Sequence, residues 1–326
     1  MKTKILKYLK ETDGFVSGQE LCDQLGVSRT AVWKIIRQLE EEGYEIEAVR
    51  SRGYRLTGSG DVLSEAEIRS TLTTRWAGQN LVVHVEIDST NNEIRRLAES
   101  GAVEGTLAVA EIQTAGKGRR GRAWKSPRGI GIWMSLLLRP LFPPHRASML
   151  TLLAAMAVNR GIRETVGVES GIKWPNDIVR NGKKLCGILT EMATEEDAIR
   201  YCVVGIGINV NTGEFPEEIR DTATSRYLET GSPVRRAPVV NAILCAWEEY
   251  YEQYQKTLDM SLLMDEYNAQ LVNRGREVLV LAPGHEYSGI SHGINREGEL
   301  LVETGDGQMH EVLSGEVSVR GVYGYV

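Results

Sequence analysis

The chain has 326 residues, of which 42% are hydrophobic and 25% charged, and its formal net charge is −6. A typical domain has roughly 150 residues, so two or three domains are expected, and the composition is that of an ordinary globular protein. No segment approaches the roughly 18 consecutive apolar residues of a membrane span, and no signal peptide is recognisable at the N-terminus. We therefore predict a cytoplasmic protein without membrane contact. Because the net charge is negative, any nucleic-acid contact depends on a local basic patch.

The cysteines and histidines argue against disulfides and against a metal site built on these residues. The five histidines are scattered, with no pair at ligand spacing. The cysteines are far apart and lie within apolar runs, which favours buried free thiols. They are Cys22, Cys186, Cys202 and Cys245.

Residues 1–57 have the pattern of a winged helix-turn-helix domain. After a short first helix, Ser17–Glu20 forms a capping box that opens a second helix. A turn at Gly26 separates it from a third helix, which Ser28 caps and whose apolar residues recur at helical spacing. Residues 44–56 alternate around a tight turn and predict a two-stranded wing beside the third helix.

Six of the ten basic residues of this module lie on the outer face of the third helix or in the wing, and the acidic residues fall away from these two elements. We therefore predict DNA binding, with the start of the recognition helix at base edges and the wing arginines at phosphates. A winged helix used for protein contacts is the alternative, and Trp33 suits either a core or an interface. The predicted DNA-contacting residues are Ser28, Arg29, Thr30, Lys34, Arg37, Arg50 and Arg52.

Residues 58–64 are predicted to be a linker. The segment Thr57–Gly60, TGSG, has the small polar composition of a flexible chain. Ser64–Glu67 is another capping box and is expected to start the central domain, residues 65–271.

The first strand of the central domain leads into polar residues. Residues 81–87 alternate and predict a strand that ends at Ser89 and Thr90. Thr90 and Glu93 are predicted to cap the following helix. Hydroxyls and free backbone N–H groups at such a point suit a polar ligand, although capping alone is the simpler interpretation. Gln113, at the end of the next predicted strand, offers an amide to a neutral ligand edge.

The segment Thr114–Pro127, TAGKGRRGRAWKSP, is rich in glycine and in cations. Glycines let the backbone approach a ligand closely, and the cations between them suit a loop that wraps an anion. A solvated basic loop is the alternative. The glycines are Gly116, Gly118 and Gly121, and the cations are Lys117, Arg119, Arg120 and Arg122.

The same glycines satisfy the G-x-G-x-x-G spacing of dinucleotide-binding folds. That fingerprint requires a helix that opens on the last glycine. Pro127, Gly129 and Gly131 follow too soon for such a helix, so we reject the Rossmann interpretation. The chain also lacks the phosphate-binding loop of nucleotide hydrolases and the kinase signatures.

A second polar segment, Trp174–Asp177, is expected to form a turn at a strand end, because proline cannot sit within a central ladder. Asn176 and Asp177 there offer oxygens to a hydrated magnesium ion. Asn181–Gly182 predicts a hairpin. Beyond it, Lys184 is a cation suited to a carboxylate or phosphate, although a surface hairpin is the alternative.

The run Tyr201–Asn211 predicts a strand with Gly205 and Gly207 on one face, where a ligand or another backbone comes close. Asn209 has the same parity. Further on, a long helix is expected to end at Gly275. Residues 272–326 then predict a small barrel of roughly five short strands.

The segments DSTNNE, QTAGKGRRGRAWKSP, KWPNDI, KKLCGIL and GIGINVN, in this order, resemble those of the biotin-protein ligases. With the winged helix in front, the chain resembles the bacterial ligases that also repress the biotin operon. The resemblance implies a multidomain α+β fold, with a winged helix-turn-helix, a central class II synthetase-like α/β catalytic domain and a C-terminal SH3-like small β-barrel. Lys117 departs from some relatives, which carry arginine there; it keeps the charge but loses the planar fork.

The resemblance also implies a function in two parts. MgATP and biotin would form biotinyl-5′-AMP, and a lysine of the biotin carboxyl carrier protein of acetyl-CoA carboxylase would then take the biotin. With its adenylate bound, the protein would dimerise and repress biotin genes at operator DNA. Two alternatives are a lipoate-type acyl-adenylating ligase and a ligand-sensing repressor without catalysis.

The family's site residues can be placed on the matching positions of this chain. Lys184 and Arg119 would be catalytic, and Asp177 would hold Mg²⁺. The residues implied for biotin are Ser89, Thr90, Asn91, Gln113, Gly116, Lys117, Gly118, Arg119, Arg120, Lys184 and Gly187. Those implied for ATP or magnesium are Arg122, Trp124, Asn176, Asp177, Asn209 and Arg320.

Overall fold

A computed structural model describes residues 1–41, 43–59, 61–282, 285–314, 318–321 and 325. It contains sheets of two, seven and five strands, in that order along the chain. They correspond to the three predicted parts, so the multidomain α+β class is confirmed. Within the described residues, no helix is both long and apolar enough to cross a membrane.

The N-terminal module consists of three helices and a wing, as predicted. Ser17 Oγ accepts a hydrogen bond from Glu20 N at 3.0 Å, so the predicted cap is present. The wing passes so close to Val16 that a Cβ on Gly53 would lie 1.9 Å from the Val16 carbonyl oxygen, and the Gly53 φ is +107°. Only glycine fits there. The elements are α1 Lys2–Glu11, α2 Gly18–Leu25, α3 Arg29–Glu41, β1 Tyr44–Val49 and β2 Gly53–Ser59.

The predicted flexible linker is wrong in its first part. Strand β2 continues to Ser59, which pairs with Tyr44 of β1, because ladder hydrogen bonds override the loop propensity of these small residues. Ser64 caps α4, Glu65–Thr71, as expected. Ala66 of α4 belongs to the apolar core of the N-terminal module, so this helix is shared between the two parts.

A buried carboxylate strengthens the junction between the module and the central domain. Glu67 of α4 is 3% exposed. It accepts hydrogen bonds from Lys10 Nζ at 2.6 Å and from the Tyr44 hydroxyl at 2.8 Å, both within the module. It also pairs with Arg235 of the central domain. The three contacts fix the module to its neighbour.

The central domain is a seven-stranded sheet in the order β3-β4-β5-β9-β8-β7-β6. Strands β3 and β4 are parallel and joined through α5, and the other neighbouring strands are antiparallel. The long helices α6 and α8 pack together in the main core. The elements are β3 Leu81–Ile87, α5 Thr90–Glu99, β4 Leu107–Gln113, β5 Gly131–Leu138, α6 Met149–Val166, β6 Gly171–Lys173, β7 Asp177–Arg180, β8 Lys183–Glu195, β9 Ala198–Asn209, α7 Arg226–Thr230, α8 Arg236–Thr257 and α9 Met264–Gln270.

Two local predictions have different outcomes. The hairpin at Asn181–Gly182 is confirmed, since both residues have positive φ between β7 and β8. The long helix expected to end at Gly275 is wrong. Helix α8 ends at Thr257, where Leu258 takes a left-handed conformation, and the separate helix α9 follows.

Within the described residues, the C-terminal sheet has five strands, the number predicted, and their order is β13-β12-β11-β10-β14. It meets the central domain through Trp174, whose indole N–H donates to the Gly298 carbonyl at 3.1 Å. All four cysteines are free thiols, and only Cys245 is partly exposed. The strands are β10 Glu277–Ala282, β11 His285–Ile294, β12 Leu300–Glu303, β13 Met309–Val312 and β14 Ser318–Gly321.

Candidate active site

The parallel arrangement of β3 and β4 brings two predicted site residues together. Ile87 pairs with Gln113, so the start of α5 lies beside the end of β4. Gln113 Oε1 accepts from Thr90 N at 2.8 Å and from Thr90 Oγ1 at 3.0 Å. Its Nε2 donates to Ser126 Oγ at 2.8 Å. A fixed amide and hydroxyl therefore stand at one end of the site.

The predicted capping role of Thr90 is wrong. Thr90 is the first helical residue of α5, and Ser89 holds the N-cap position without a side-chain capping bond. The Thr90 hydroxyl is instead directed across the sheet end to Gln113. The first turn of α5 is therefore tied to Gln113 by both the N–H and the hydroxyl of Thr90.

Beneath this end lies a buried polar layer. Ser135 Oγ, on a fully buried residue, is 2.7 Å from Thr90 Oγ1 and 2.6 Å from Asn91 Oδ1. Asn91 Nδ2 donates to Glu191 at 2.6 Å. A Cβ on Gly205 would lie 2.1 Å from Asn91 Oδ1. The glycine is therefore required for Asn91 to reach the layer.

The basic glycine loop leaves the sheet and folds back on itself through hydrogen bonds between its own backbone groups. Trp124 N donates to the Gly116 carbonyl at 2.8 Å, and Gly118 N donates to the Arg122 carbonyl at 2.7 Å. At its tip, Arg120 and Gly121 have φ values of +56° and +72°. The backbone thus directs Lys117 and Arg119 toward the sheet, while Arg120 and Arg122 are exposed.

Two glycines on adjacent strands form the floor of the site. Gly187 of β8 pairs with Gly207 of β9. A Cβ on Gly207 would lie 2.7 Å from Trp124 Nε1, and one on Gly187 would lie 2.9 Å from Lys184 Cε. Trp124 and Lys184 therefore rest on bare backbone. Among the described residues, the buried Trp124 indole N–H has no hydrogen-bond acceptor.

Asp177 is the carboxylate at the charged end of the site. Lys184 Nζ lies 2.6 Å from Asp177 Oδ1, and Asn176 Nδ2 donates to the same oxygen at 3.1 Å. Tyr325 donates its hydroxyl hydrogen to Asp177 Oδ2. Arg119 reaches the same turn, with Nη1 donating to Asn176 Oδ1 at 3.0 Å.

Cations outnumber carboxylates at the charged end of the site. Burial lowers the pKa of two of these cations. Burial lowers the pKa of Arg119, although Asp177 opposes the shift. The pKa of Lys173 is lowered to about 8. Burial is the main cause, the positive charges of Lys184 and Arg320 act in the same direction, and the negative charge of Asp177 opposes them. A surplus of partly dehydrated positive charge favours an anionic ligand.

These groups line one cleft. Most of the predicted site residues lie on it, and several apolar residues that the sequence did not single out complete it. The lining residues are Ser89, Thr90, Asn91, Gln113, Lys117, Gly118, Arg119, Trp124, Met134, Asn176, Lys184, Gly187, Ile188, Leu189, Gly205, Ile206 and Gly207.

The structure places six of the predicted residues off the lining of this cleft. Asn209 is the furthest from its predicted role, because its Nδ2 donates to the Thr224 carbonyl at 3.1 Å in a buried structural contact. Asp177 lies behind Lys184, and the exposed Arg320 acts on Lys173 through its charge. Gly116 is buried within the loop, where an added Cβ would lie 2.6 Å from the Trp124 carbonyl oxygen. Arg120 and Arg122 are exposed at the loop tip.

Ser135 and Tyr325 are site residues that sequence reasoning missed. Ser135 is the single polar residue in the apolar strand GIWMSLLL, which was a usable signal. Tyr325 is joined to Asp177 across 148 positions, and no local pattern predicts such a contact.

The site does not fit a magnesium ion held by protein side chains. Mg²⁺ requires free oxygen ligands, but lysine, asparagine and tyrosine donors engage the Asp177 oxygens. In the part of the chain that the structure describes, no three acidic, histidine or cysteine side chains are grouped to hold a metal.

A buried charge cluster connects the start of the central domain to the base of the loop. Arg236 is fully buried and pairs with Asp61 at 2.6 Å and with Glu111 at 2.9 Å. Glu111 also accepts from Leu63 N at 2.9 Å and from Gly129 N at 3.1 Å. We call Asp61, Glu111 and Arg236 the connector cluster.

The balance of burial and charge differs within the connector cluster. Burial raises the pKa of Asp61, and Arg236 only partly opposes it. Burial also acts to raise the pKa of Glu111, but the hydrogen bonds and charge of Arg236 outweigh it, so that pKa is lowered.

The predicted DNA-contacting residues lie on exposed parts of α3 and the wing. Ser28 Oγ accepts from Ala31 N at 3.2 Å and therefore also caps α3. Arg37 pairs with Glu40 at 3.0 Å and lies over Trp33, which is 50% exposed. Arg52 stacks on Phe15 at 4.3 Å. Trp33 is thus on the surface of the recognition helix.

Family models match all three parts of the chain. Residues 84–209 match the biotin/lipoate A/B protein ligase family, residues 2–55 an HTH domain, and residues 275–320 the biotin protein ligase C-terminal domain.

Curated relatives match over nearly the full length. The chain is 47% identical over 297 residues to the bifunctional ligase/repressor BirA of Bacillus subtilis (strain 168), covering 90% of each chain. It is 31% identical over 308 residues to the protein of the same name from Escherichia coli (strain K12), covering 94% of this chain and 93% of the relative.

A solved structure matches about three quarters of the chain. The biotin protein ligase of Aquifex aeolicus, in complex with biotin and ATP, is 33% identical to this chain with a TM-score of 0.66. The match covers 74% of this chain and 99% of the other.

Proposed function

Because the chain belongs to the biotin protein ligase family, we propose that it is an ATP-dependent biotin–[acetyl-CoA-carboxylase] ligase and a transcriptional repressor of biotin genes. The observation that carries the ligase proposal is the division of one cleft into two ends. A fixed amide and hydroxyl, from Gln113 and Thr90, stand at one end. Lys184 and Arg119 stand at the other.

The two ends match the chemistry of biotin. Its neutral ureido group takes hydrogen bonds from fixed polar groups such as those of Thr90, Asn91 and Gln113. Its carboxylate requires a cation, which Lys184 supplies. We assign the flat bicyclic part to the space beside Trp124 and Lys184, which the glycines at Gly187 and Gly207 allow to lie close to the sheet.

In the first step, a biotin carboxylate oxygen attacks the α-phosphorus of ATP. The bond from that phosphorus to the bridging oxygen breaks, and pyrophosphate leaves with the electron pair. A carboxylate is already a nucleophile at neutral pH, so the site supplies positioning and positive charge rather than a base. Lys184, Lys117 and Arg119 would stabilise the charge that develops on the phosphate.

In the second step, the amine of the carrier-protein lysine attacks the acyl carbon of biotinyl-5′-AMP. The amide bond forms, the acyl–oxygen bond to AMP breaks, and the amine loses a proton. Until then, Arg119 and the exposed loop arginines Arg120 and Arg122 would retain the adenylate. Trp124, lying between the loop and the glycine floor, would contact its base, and Arg320 would reach its phosphate side.

We propose that magnesium arrives with ATP instead of occupying a protein site. The donors around Asp177 support this, because they leave its oxygens engaged, and magnesium is commonly bound mainly through substrate phosphates. Asp177 would then orient Lys184. Asn176, which lies on the cleft lining, is the better candidate for a contact with the nucleotide.

The ligase proposal is tested by single-turnover formation of biotinyl-AMP from labelled ATP and biotin. We expect Lys184→Ala to slow this step about 100-fold, the usual cost of removing a donor to developing charge. Arg119→Ala should release the adenylate about tenfold faster. The matched control is Lys183→Ala, since this neighbouring amine donates to the Arg220 carbonyl away from the cleft.

Three outcomes would contradict this assignment. Absence of adenylate in the wild type would leave a ligand-sensing repressor. A preference for lipoate over biotin would indicate a lipoate-type ligase. An equal effect of Lys183→Ala and Lys184→Ala would remove the assigned role of Lys184.

We propose that adenylate binding promotes a homodimer that reads two operator half-sites. The exposed Thr30, Lys34 and Arg37 of α3 and Arg50 and Arg52 of the wing support it. Two such surfaces related by a twofold axis match the symmetry of an operator. Sedimentation of the chain with and without biotinyl-AMP, together with operator binding, would test it; adenylate without effect on either would contradict it.

We propose that residues 1–57, 65–271 and 272–326 form the DNA-binding, catalytic and C-terminal units. Limited proteolysis followed by mass spectrometry would test these limits. Because β2 extends to Ser59, cleavage between the first two units should be confined to the few residues before α4.

A further inference from the structure

The C-terminal end of the chain reaches the charged end of the cleft. Tyr325 is partly buried, and its ring centroid lies 3.4 Å from Lys173 Nζ. Its hydroxyl donates to Asp177 Oδ2. A second contact from the same part of the chain is the Ser314 carbonyl, which accepts from Arg119 Nη2 at 2.7 Å. The C-terminal part thus touches three side chains at this end directly, those of Lys173, Asp177 and Arg119.

Asp177 is held on both oxygens. Oδ1 accepts from Lys184 Nζ and Asn176 Nδ2, and Oδ2 accepts from Tyr325. An ionised carboxylate with donors on both oxygens cannot rotate without losing one of them. The position of the carboxylate therefore depends on the tyrosine hydroxyl.

The position of Lys184 depends in turn on Asp177. Lysine has a flexible four-carbon chain, and its ammonium is a point charge without a fixed direction. In this site its Nζ is held by Asp177 at 2.6 Å and lies 5.2 Å from the Trp124 ring centroid. Its Cε is close to the backbone of Gly187. Asp177 is the anionic partner that fixes where the ammonium stands.

Tyr325 is suited to a permanent donor role. Burial raises its pKa, and the negative charge of Asp177 raises it further. The phenol therefore keeps its proton throughout the neutral range, and Asp177 can only accept from it.

We propose that Tyr325 is a positioning residue for adenylate formation, acting through Asp177 on Lys184. This proposal rests on the function proposed above, in which Lys184 meets the biotin carboxylate and the α-phosphate. Tyr325 lies off the cleft lining. Through Asp177 it connects the C-terminal part of the chain to Lys184, so this part contributes to the rate of the chemical step.

The test is single-turnover adenylate formation by the full chain at saturating biotin and ATP. Tyr325→Phe keeps the ring under Lys173 and removes only the hydroxyl. We expect the rate to fall about tenfold, as is usual when a hydrogen bond to a charged group is lost. The matched control is Tyr201→Phe. Tyr201 lies on β9 of the same sheet, outside the cleft lining, and the change removes its 2.8 Å hydrogen bond to Glu99. Its rate should be unchanged.

A double-variant comparison separates positioning from general structural support. If Tyr325 acts through Asp177, then Tyr325→Phe should have no further effect in an Asp177→Asn background, because the two residues belong to one path. A Tyr325→Phe rate within twofold of the wild type would overturn the proposal, and so would effects of the two changes that multiply. The twofold criterion requires only the conservative Tyr325→Phe variant. Failure of the wild type to form adenylate would instead overturn the proposed function.

Discussion

The cleft and the connector cluster use the same kinds of charged residues in opposite ways. In the connector cluster, one fully buried arginine meets two carboxylates and two backbone carbonyls. At the charged end of the cleft, several cations surround the carboxylate of Asp177. Buried charges that are paired with one another hold elements together, whereas a surplus of one sign attracts a ligand of opposite charge.

The two regions lie close together along the chain. Glu111 of the connector cluster is two positions before Gln113, and it accepts from Gly129 just after the basic loop. The connector cluster therefore holds both ends of the loop whose cations face the cleft. The first two substitutions below should affect stability in the connector cluster and binding in the cleft.

Removing the buried cation should have the largest effect. Arg236→Met would leave Asp61 and Glu111 buried without their partner, and we expect the free energy of unfolding to fall by about 3–5 kcal/mol. Urea denaturation would measure it. The control is Arg200→Met, whose ion pairs with Glu99 and Glu195 are exposed, so a loss of less than about 1 kcal/mol is expected. Equal losses would show that burial does not distinguish the two arginines.

Filling the glycine floor should affect the cleft more than the fold. In Gly207→Ala, the new methyl group would lie 2.7 Å from Trp124 Nε1 and displace the indole. We expect the dissociation constant for biotin, measured by calorimetry, to rise about tenfold, within the cost of overpacking. Gly305→Ala is the control, because nothing lies within 4 Å of its added Cβ. Unchanged affinity in Gly207→Ala would place biotin elsewhere.

The smallest effect is expected from a buried lysine at the margin of the site. The pKa of Lys173 is about 8 in the folded chain against 10.5 ordinarily. Between these values the unfolded chain binds more protons, so stability rises as the pH rises through this window. Below about pH 8 both states are protonated and the burial cost is constant.

Lys173→Met should remove this contribution. At pH 7 we expect the variant to be more stable by about 1 kcal/mol, because the relieved burial cost exceeds the lost contact with the Tyr325 ring. Its advantage should shrink as the pH rises above 8. Urea denaturation from pH 7 to 10 would measure both, with Lys183→Met as the control. An advantage that grows with pH would reverse the assigned direction.

Local patterns were enough to predict much of the fold and of the cleft. Ser17, Ser64, Asn181 and Gly182 act through neighbours in sequence, so caps and turns followed from their spacing. The basic loop and Lys184 were likewise recognisable from composition.

The failures have a common physical cause, which is tertiary contact. Thr90 turns from its own helix to Gln113 on another strand. The small residues before Ser59 join a ladder with β1 instead of forming a free linker. Arg236 and Tyr325 meet partners more than a hundred positions away. Only the folded chain shows that these residues belong to the connector cluster and the site.

The position of Glu67 and Ala66 limits how this chain can be divided or recombined. A fragment that begins at α4 would keep the Glu67 carboxylate but lose Lys10 and Tyr44, two of its three side-chain partners. It would also uncover Ala66, which now packs in the N-terminal core. A ligase freed from DNA control, whether by gene fission or by design, therefore has to rebuild the outer face of this helix. Exchange of winged helices among such proteins would succeed most readily where the donor supplies an equivalent lysine and tyrosine.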